Sequence, residues 1–291
     1  MENEVIFDEK KNKVVNGTLY LVTTPIGNLA DITYRALKIL REVSFIAAED
    51  TRNTKKLLRY FGIFKEITSY HEHNKVSSGK EIVERLISGE SCALVTDAGT
   101  PAISDPGEDL VRLCAENNIT VTAAPGVSAA ITALSLSAVD TRRFVFEGFL
   151  PVSKSERKER LEALHCEERT IIIYEAPHKL LKTLSDLHKY FGDRHISLCR
   201  ELTKINEEIT RTTISASLDY YKENEPRGEY VLIIEGDLKS NKLSNTFWSE
   251  MSIIEHVDHY INCGLNKNEA IKAAAKDRGV PKNIIYNVYV K

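Results

Sequence analysis

Short apolar, β-branched runs alternate with segments of helical period through the first 125 residues, and this alternation limits the fold more than any other feature. Gly17–Thr24, Ser44–Ala48, Glu66–Tyr70, Cys92–Thr96 and Ile119–Ala124 read as strands. Between them, 32–40 reads as a helix capped by Asp31, 51–60 as a second, and 81–87 as a third opened by a Ser78-x-x-Glu81 capping box. Strands that are apolar at nearly every position are covered on both faces. The expected unit is therefore a mostly parallel, helix-covered α/β sheet.

A second set begins at Phe144–Phe146 and continues with strands over Thr170–Tyr174, His195–Cys199, Glu207–Thr213 and Tyr230–Ile234. Helices are expected over about 153–165 and over 177–191, where Pro177 sits in the first turn and its missing N–H costs nothing. Two strands in quick succession near 195–213 predict a mixed sheet with an antiparallel pair. Past Gly236, residues 237–245 read as a polar linker, and 253–261, 267–277 and 281–289 as three short helices stopped by Gly264 and Gly279. Two helices joined by a tight glycine turn resemble a helix-turn-helix unit, and a small helical cap with solvated lysines is the competing reading. The expected units are 15–124, 125–238 and 239–291, with the first boundary between 124 and 140.

Charge is nearly balanced, with 39 Lys and Arg against 42 Asp and Glu among 291 residues and a net of −3. That balance excludes attachment to nucleic acid by bulk charge but allows a local basic patch. Residues 239–291 supply one, holding eight Lys and Arg against five acids. The five cysteines are scattered without a CxxC pair, as expected of reduced thiols in a cytosolic protein rather than of a disulfide frame or zinc site. The start, MENEVIFDEKKNK, is too charged for a signal peptide. The uncharged stretch 117–139 is broken by Pro125-Gly126 and rich in Ser and Thr, so it reads as a buried strand and helix rather than a membrane span. A soluble, cytoplasmic protein is expected.

Each informative loop follows a strand, where ligands of open α/β sheets bind. These are Thr24-Pro25-Ile26-Gly27-Asn28, the long Asp97–Gly107 loop, and Pro125-Gly126-Val127-Ser128. In the second, Gly99 permits close backbone approach and Pro101 and Pro106 stiffen the turn; Asp105 reads as the N-cap of the next helix, with Glu108 at its third position. No GxGxxG, GxxxxGK[ST] or GxSxG motif is present, which disfavours a dinucleotide, a P-loop nucleotide and a serine nucleophile elbow. His71-Glu72-His73 lacks a third placed ligand, so no metal is expected.

Thr24-Pro25-Ile26-Gly27-Asn28-Leu29, Ala48-Glu49-Asp50-Thr51-Arg52, Ser69–Asn74, Asp97–Gly107 and Pro125–Ala129 resemble the tetrapyrrole-methylase superfamily, and within it a ribosomal branch that methylates a cytidine 2'-hydroxyl in the decoding region of small-subunit (16S) rRNA. The resemblance covers about residues 15–236 and extends to the small C-terminal unit. It implies a two-domain fold, one mostly parallel sheet and one mixed sheet, that dimerises and binds S-adenosylmethionine between the domains. The methionine and ribose parts would meet Pro25, Asp97, Ala98, Gly99, Thr100, Ile103, Ser128 and Ala129. The adenine would approach Tyr174, Glu175 and the backbone near 229–231. Corrin- and porphyrin-methylating relatives carry Gly-Gly-Asp-Pro where this chain has Ala98-Gly99-Thr100-Pro101, which favours the ribosomal branch over the alternative, a small-molecule tetrapyrrole-type methyltransferase using the same cleft. A second rival is a non-catalytic RNA-binding module.

A ribose hydroxyl is a poor nucleophile until its proton is removed. Asp50 matches the superfamily's acid/base aspartate position and is the leading catalytic candidate; its other reading is a helix N-cap. Arg52, His71 and Asn74 are candidates for RNA contact. Arg200 and Lys204 at another strand end, and Lys272, Lys276 and Arg278 in the basic tail, are candidates for phosphate contacts, which position RNA without reading it. The expected partner is small-subunit rRNA or the assembled 30S-type subunit, with no membrane.

Overall fold

The computed structural model describes residues 12–237, Trp248 and residues 251–290. The polar stretch read as a linker lies outside the described residues, apart from Asp237.

Five strands, β1 (Thr18–Val22), β2 (Phe45–Ala48), β3 (Glu66–Ser69), β4 (Cys92–Val95) and β5 (Thr120–Ala124), form one sheet in the order β3-β2-β4-β1-β5. Every pairing in it is parallel. Helices α1 (Tyr34–Glu42), α2 (Thr51–Tyr60), α3 (Lys75–Ile87) and α4 (Glu108–Glu116) link them. Successive strand residues point to opposite faces. Val22, Ile46 and Val95 pack with Ile39 and Leu40 of α1 and Leu58 of α2, whereas Leu19, Phe45 and Leu94 pack with Ile82 and Leu86 of α3 and Leu110 of α4. Two covered faces explain the unbroken apolar runs. The chain leaves β1 toward one face and β4 toward the other, although the two strands are hydrogen-bonded neighbours. A crevice must open between their carboxyl ends.

Three helix starts differ from expectation. Thr33, not Asp31, caps α1 by accepting from the Ala36 N–H, because Leu29–Asp31 form a short 3₁₀ turn instead. Helix α3 begins at Lys75, a full turn before Ser78, so no capping box forms there. Helix α4 is preceded by Gly107 at φ 145°, which frees Asp105 from the helix.

The second sheet contains β6 (Phe144–Phe149), β7 (Thr170–Glu175), β8 (His195–Arg200), β9 (Glu208–Thr213) and β10 (Tyr230–Ile234), ordered β6-β7-β10-β8-β9. Only β6 and β7 run parallel; the other three pairings are antiparallel. One face packs on α6 (Lys154–Leu164), α7 (Pro177–Phe191) and α8 (Ile214–Glu223) through Leu161, Leu180, Leu184, Leu187 and Ile214. The other packs on α5 (Ala129–Leu136), whose Ala130, Ala133 and Leu134 meet Ile172, Val231 and Ile233.

The C-terminal helices α9 (Ile253–Asn262), α10 (Lys267–Asp277) and α11 (Lys282–Tyr289) close their own core of Val257, Ala270, Ile271, Ala274 and Ile285. Capping boxes at Ser252/Glu255 and Asn266/Glu269 open the first two. All five cysteines are free, and Cys92, Cys114 and Cys199 are buried. Among the described residues no helix is long and apolar enough to cross a membrane.

Candidate active site

At the crevice, Thr24 and Gly99 exchange backbone hydrogen bonds of 2.9 and 3.0 Å, joining the loop after β1 to the loop after β4. Gly99 lies at φ +84°, a conformation that L side chains rarely adopt. Further along the same loop, Ala102 and Ser104 hold left-handed φ values of 68° and 59°. Non-glycine residues occupy this region at a cost and persist there only when their surroundings enforce it. The loop is thus a shaped wall.

That wall borders a cavity of about 550 Å³, within the range of small-molecule sites. The first sheet contributes Ile26, Asp97, Ala98, Gly99, Thr100, Ile103 and Asp105. Ser128 and Ala129 enter from the start of α5. Phe149, Tyr174 and Glu175 come from the ends of β6 and β7; Leu202, Lys204, Glu229 and Val231 close the far side. A smaller pocket of about 180 Å³, lined by Thr24, Pro25, Asn53 and Thr96 among others, shares Asp97 with the larger one. Nine of the ten residues that the resemblance associates with a cofactor line the larger cavity, and Pro25 lines the smaller.

The wall chemistry is mixed. Ile26, Ile103, Leu202 and Val231 are apolar, whereas Asp97, Asp105, Glu175 and Glu229 are acidic against the single lysine, Lys204. Glu175, only 4% exposed, accepts from the Ala176 N–H at 2.9 Å and from the Thr183 hydroxyl. Burial raises the Tyr174 phenol, whose oxygen accepts from the Ala130 N–H at 3.1 Å. Burial, reinforced by the negative charges of Glu49 and Asp97, pushes Asp105 up to about 6.

A family model described as Tetrapyrrole (Corrin/Porphyrin) Methylases matches residues 18–217. The chain belongs to the tetrapyrrole methylase family. Among curated members, the chain is 47% identical over 289 residues to "Ribosomal RNA small subunit methyltransferase I" of Halalkalibacterium halodurans, covering 99% of both chains. It is 48% identical over 274 residues to the protein of that name from Bacillus subtilis, covering 94% of each. Solved structures share the fold. A conserved hypothetical protein from Aeropyrum pernix K1 superposes with a TM-score of 0.62 at 15% identity, covering 91% of this chain and 90% of that one. A uroporphyrin-III-C-methyltransferase from Thermus thermophilus superposes with a TM-score of 0.54 at 16% identity, covering 78% and 98%.

In this methylase fold the other candidates are dispersed. Asp50 is the N-cap of α2: its carboxylate accepts from the Arg52 N–H at 2.7 Å and pairs with the guanidinium at 3.1 Å, which holds it below the usual carboxylate range. It lines neither pocket. Arg52 is exposed. Asn74 accepts from the His71 N–H at 2.8 Å and donates to the Ser69 carbonyl at 3.1 Å, so it shapes the turn before α3. Arg200 pairs with Glu208 at 2.8 Å, and Lys204 bridges Glu201 and Glu229 at 2.8 and 2.7 Å. Lys272 and Lys276 are exposed on α10. Arg278 is internal instead: it donates to the Met251 carbonyl at 2.6 Å and to His256 Nδ1 at 3.1 Å. Among the described residues no three His, Cys, Asp or Glu side chains are grouped to hold a metal ion.

Sequence reasoning did not single out Glu49, Thr96 or Phe149, and it assigned Asp105 to a helix cap. One signal was available for Asp105, a second aspartate eight residues after Asp97 in the same glycine- and proline-rich loop.

Proposed function

We propose that this chain methylates the 2'-hydroxyl of a cytidine in the decoding region of small-subunit (16S) rRNA, with S-adenosylmethionine as donor. The observation that carries the reading is 47% identity over 99% of the chain to a protein named Ribosomal RNA small subunit methyltransferase I, joined to a cavity whose walls suit this donor. The donor is cationic at sulfur and apolar along its adenosyl and methylene parts. Four carboxylates and a strip of Ile26, Ile103, Leu202 and Val231 match that distribution of charge. When bound, the cofactor supplies a methyl group already attached to a good leaving group.

The remaining work is alignment and exclusion of water. The clasped loops at Thr24 and Gly99 fix one wall, and Tyr174 and Phe149 close the opposite one with rings 5.6 Å apart. In this reading Asp97, Ala98, Gly99, Thr100, Ile103, Ser128 and Ala129 hold the methionine and ribose, Pro25 borders them, and Tyr174 and Glu175 face the adenine. Asp50, the acid/base position implied by the family, is held ionised by Arg52 and anchors the helix that carries Asn53. Arg52, His71, Asn74, Arg200, Lys204, Lys272 and Lys276, at separate places on the chain, are the residues offered to RNA.

The proposed organisation is a cytoplasmic homodimer of three-unit chains (15–124, 125–238, 239–291), acting on small-subunit rRNA or the assembled 30S subunit. The test is transfer of labelled methyl to 30S subunits lacking the modification, followed by nucleoside mapping. Label in a 2'-O-methylcytidine is the expected result. Label in added porphyrinoids, with none in subunits, selects the small-molecule alternative.

A further inference from the structure

Three of the four carboxylates on the larger cavity have settled partners. Asp97 accepts from the Asn53 amide at 3.1 Å, Glu175 from Ala176 and Thr183, and Glu229 pairs with Lys204 at 2.7 Å. Asp105 differs: among the described residues no cation is paired with it. The buried Thr96 has one hydroxyl proton, and it goes to Glu49 Oε2 at 2.9 Å, so it is not spent on holding Asp105 ionised. Burial beside the negative charges of Glu49 and Asp97, with no paired cation among the described residues, favours a carboxyl that gains a proton readily. Its position fits as well, because Asp105 lines the larger cavity, Thr96 lines the smaller pocket, and Asp97 borders both.

We infer that Asp105 accepts the proton of the substrate hydroxyl as the methyl group is transferred, an inference that rests on the ribose-methylation reading. The ribose oxygen forms a bond to the methyl carbon while the carbon–sulfur bond breaks and its electron pair goes to sulfur. The hydroxyl proton passes to an Asp105 carboxylate oxygen and then to water. Glu49 acts through Asp105 as a positioning residue. Other charged groups face the same space: Asp97 after β4, Tyr174 and Glu175 from β7, His178 from α7, and Lys204 with its partner Glu229. Of these, Asp97 raises the Asp105 carboxyl, as does Glu49 after β2, while Lys204 is already occupied by Glu201 and Glu229.

The test uses the full-length protein and 30S subunits under single-turnover conditions. At saturating S-adenosylmethionine, Asp105→Asn is expected to slow methyl transfer by about 10²–10⁴-fold, the usual contribution of a positioned base. The wild-type rate should fall as pH drops through about 6, and a ¹³C-NMR titration of the free enzyme should show one carboxyl, absent from Asp105→Asn, titrating in that range. Glu49→Gln removes a neighbouring negative charge, so it should move both midpoints to lower pH. This readout does not depend on the Asp105 variant. An active wild type with an equally active Asp105→Asn overturns the inference alone. So do an Asp105 carboxyl titrating near 4 and midpoints unmoved by Glu49→Gln. A wild type that transfers no methyl to subunits defeats the parent reading and this one with it.

Discussion

The side-chain amide of Asn53 donates to the carboxylate of Asp97 at 3.1 Å, tying the first turn of α2 to the loop that follows β4. Asp97 borders both pockets, so this bond fixes the orientation of the one acid they share. Asn53→Ala should remove about 1 kcal/mol of support for that orientation. We expect S-adenosylmethionine to bind roughly fivefold more weakly, with the melting temperature nearly unchanged. Isothermal calorimetry beside a thermal melt checks both.

Gly107 turns the chain from the cleft wall into α4 at φ 145°. A Cβ there would meet Leu94 Cδ2 at 2.9 Å and Ala102 Cβ at 3.0 Å, both in crowded surroundings. Gly107→Ala combines backbone strain with overpacking and should cost about 2 kcal/mol. For a domain of this size that corresponds to a loss of roughly 4–8 °C in Tm. A melt within 1 °C of wild type would contradict the crowding described.

Asp105 also gives stability a pH dependence of unusual sign. Its folded carboxyl sits at about 6, above the ordinary 3.8. At neutral pH both folded and unfolded states ionise this group, and the folded state does so against its environment. As pH falls from about 6 toward 3.8 the folded protein takes up the proton first and is stabilised relative to the unfolded chain. Asp105→Asn should therefore melt above wild type at pH 8, with the gap closing as pH falls through that window. Differential scanning calorimetry at pH 8, 6 and 4.5 reads it directly.

The tail separates two kinds of basic residue. Lys272 and Lys276 are exposed on α10, and their joint replacement by Glu should weaken RNA binding while leaving cofactor affinity intact. If both contact phosphates, the slope of log K against log salt should flatten by about 1.4–1.8. Arg278 instead anchors the Met251 carbonyl and His256, with its guanidinium 5.1 Å from the centre of the Trp248 ring. Arg278→Ala should unsettle the three-helix unit itself, visible as an early transition in circular dichroism.

Where local chemistry decided the structure, the sequence was enough. Helix α2, capped by Asp50, and helix α7, opened by Pro177, occupy the ranges that their residues predict, and so does the apolar strand Tyr230–Ile234. Helix α8 went unrecognised because it follows β9 without a loop: Thr213 ends the strand and caps the helix at once, accepting from the Ala216 N–H. Loops after β1 and β4 could be expected at one rim from the parallel topology alone. The partnership of Glu49, Thr96 and Asp105 could not. It joins three segments separated by up to 56 positions, and the proline that follows Asp105 argued for a helix cap.

The paired bonds between Thr24 and Gly99 have a lasting effect on how a donor is received. Two loops that would otherwise wander independently are stitched into a single edge before any guest arrives, so little freedom is left to surrender on docking. Selectivity at this rim is then a matter of fit to a standing shape, and a broken stitch should surface as slower, looser capture well before it surfaces as unfolding.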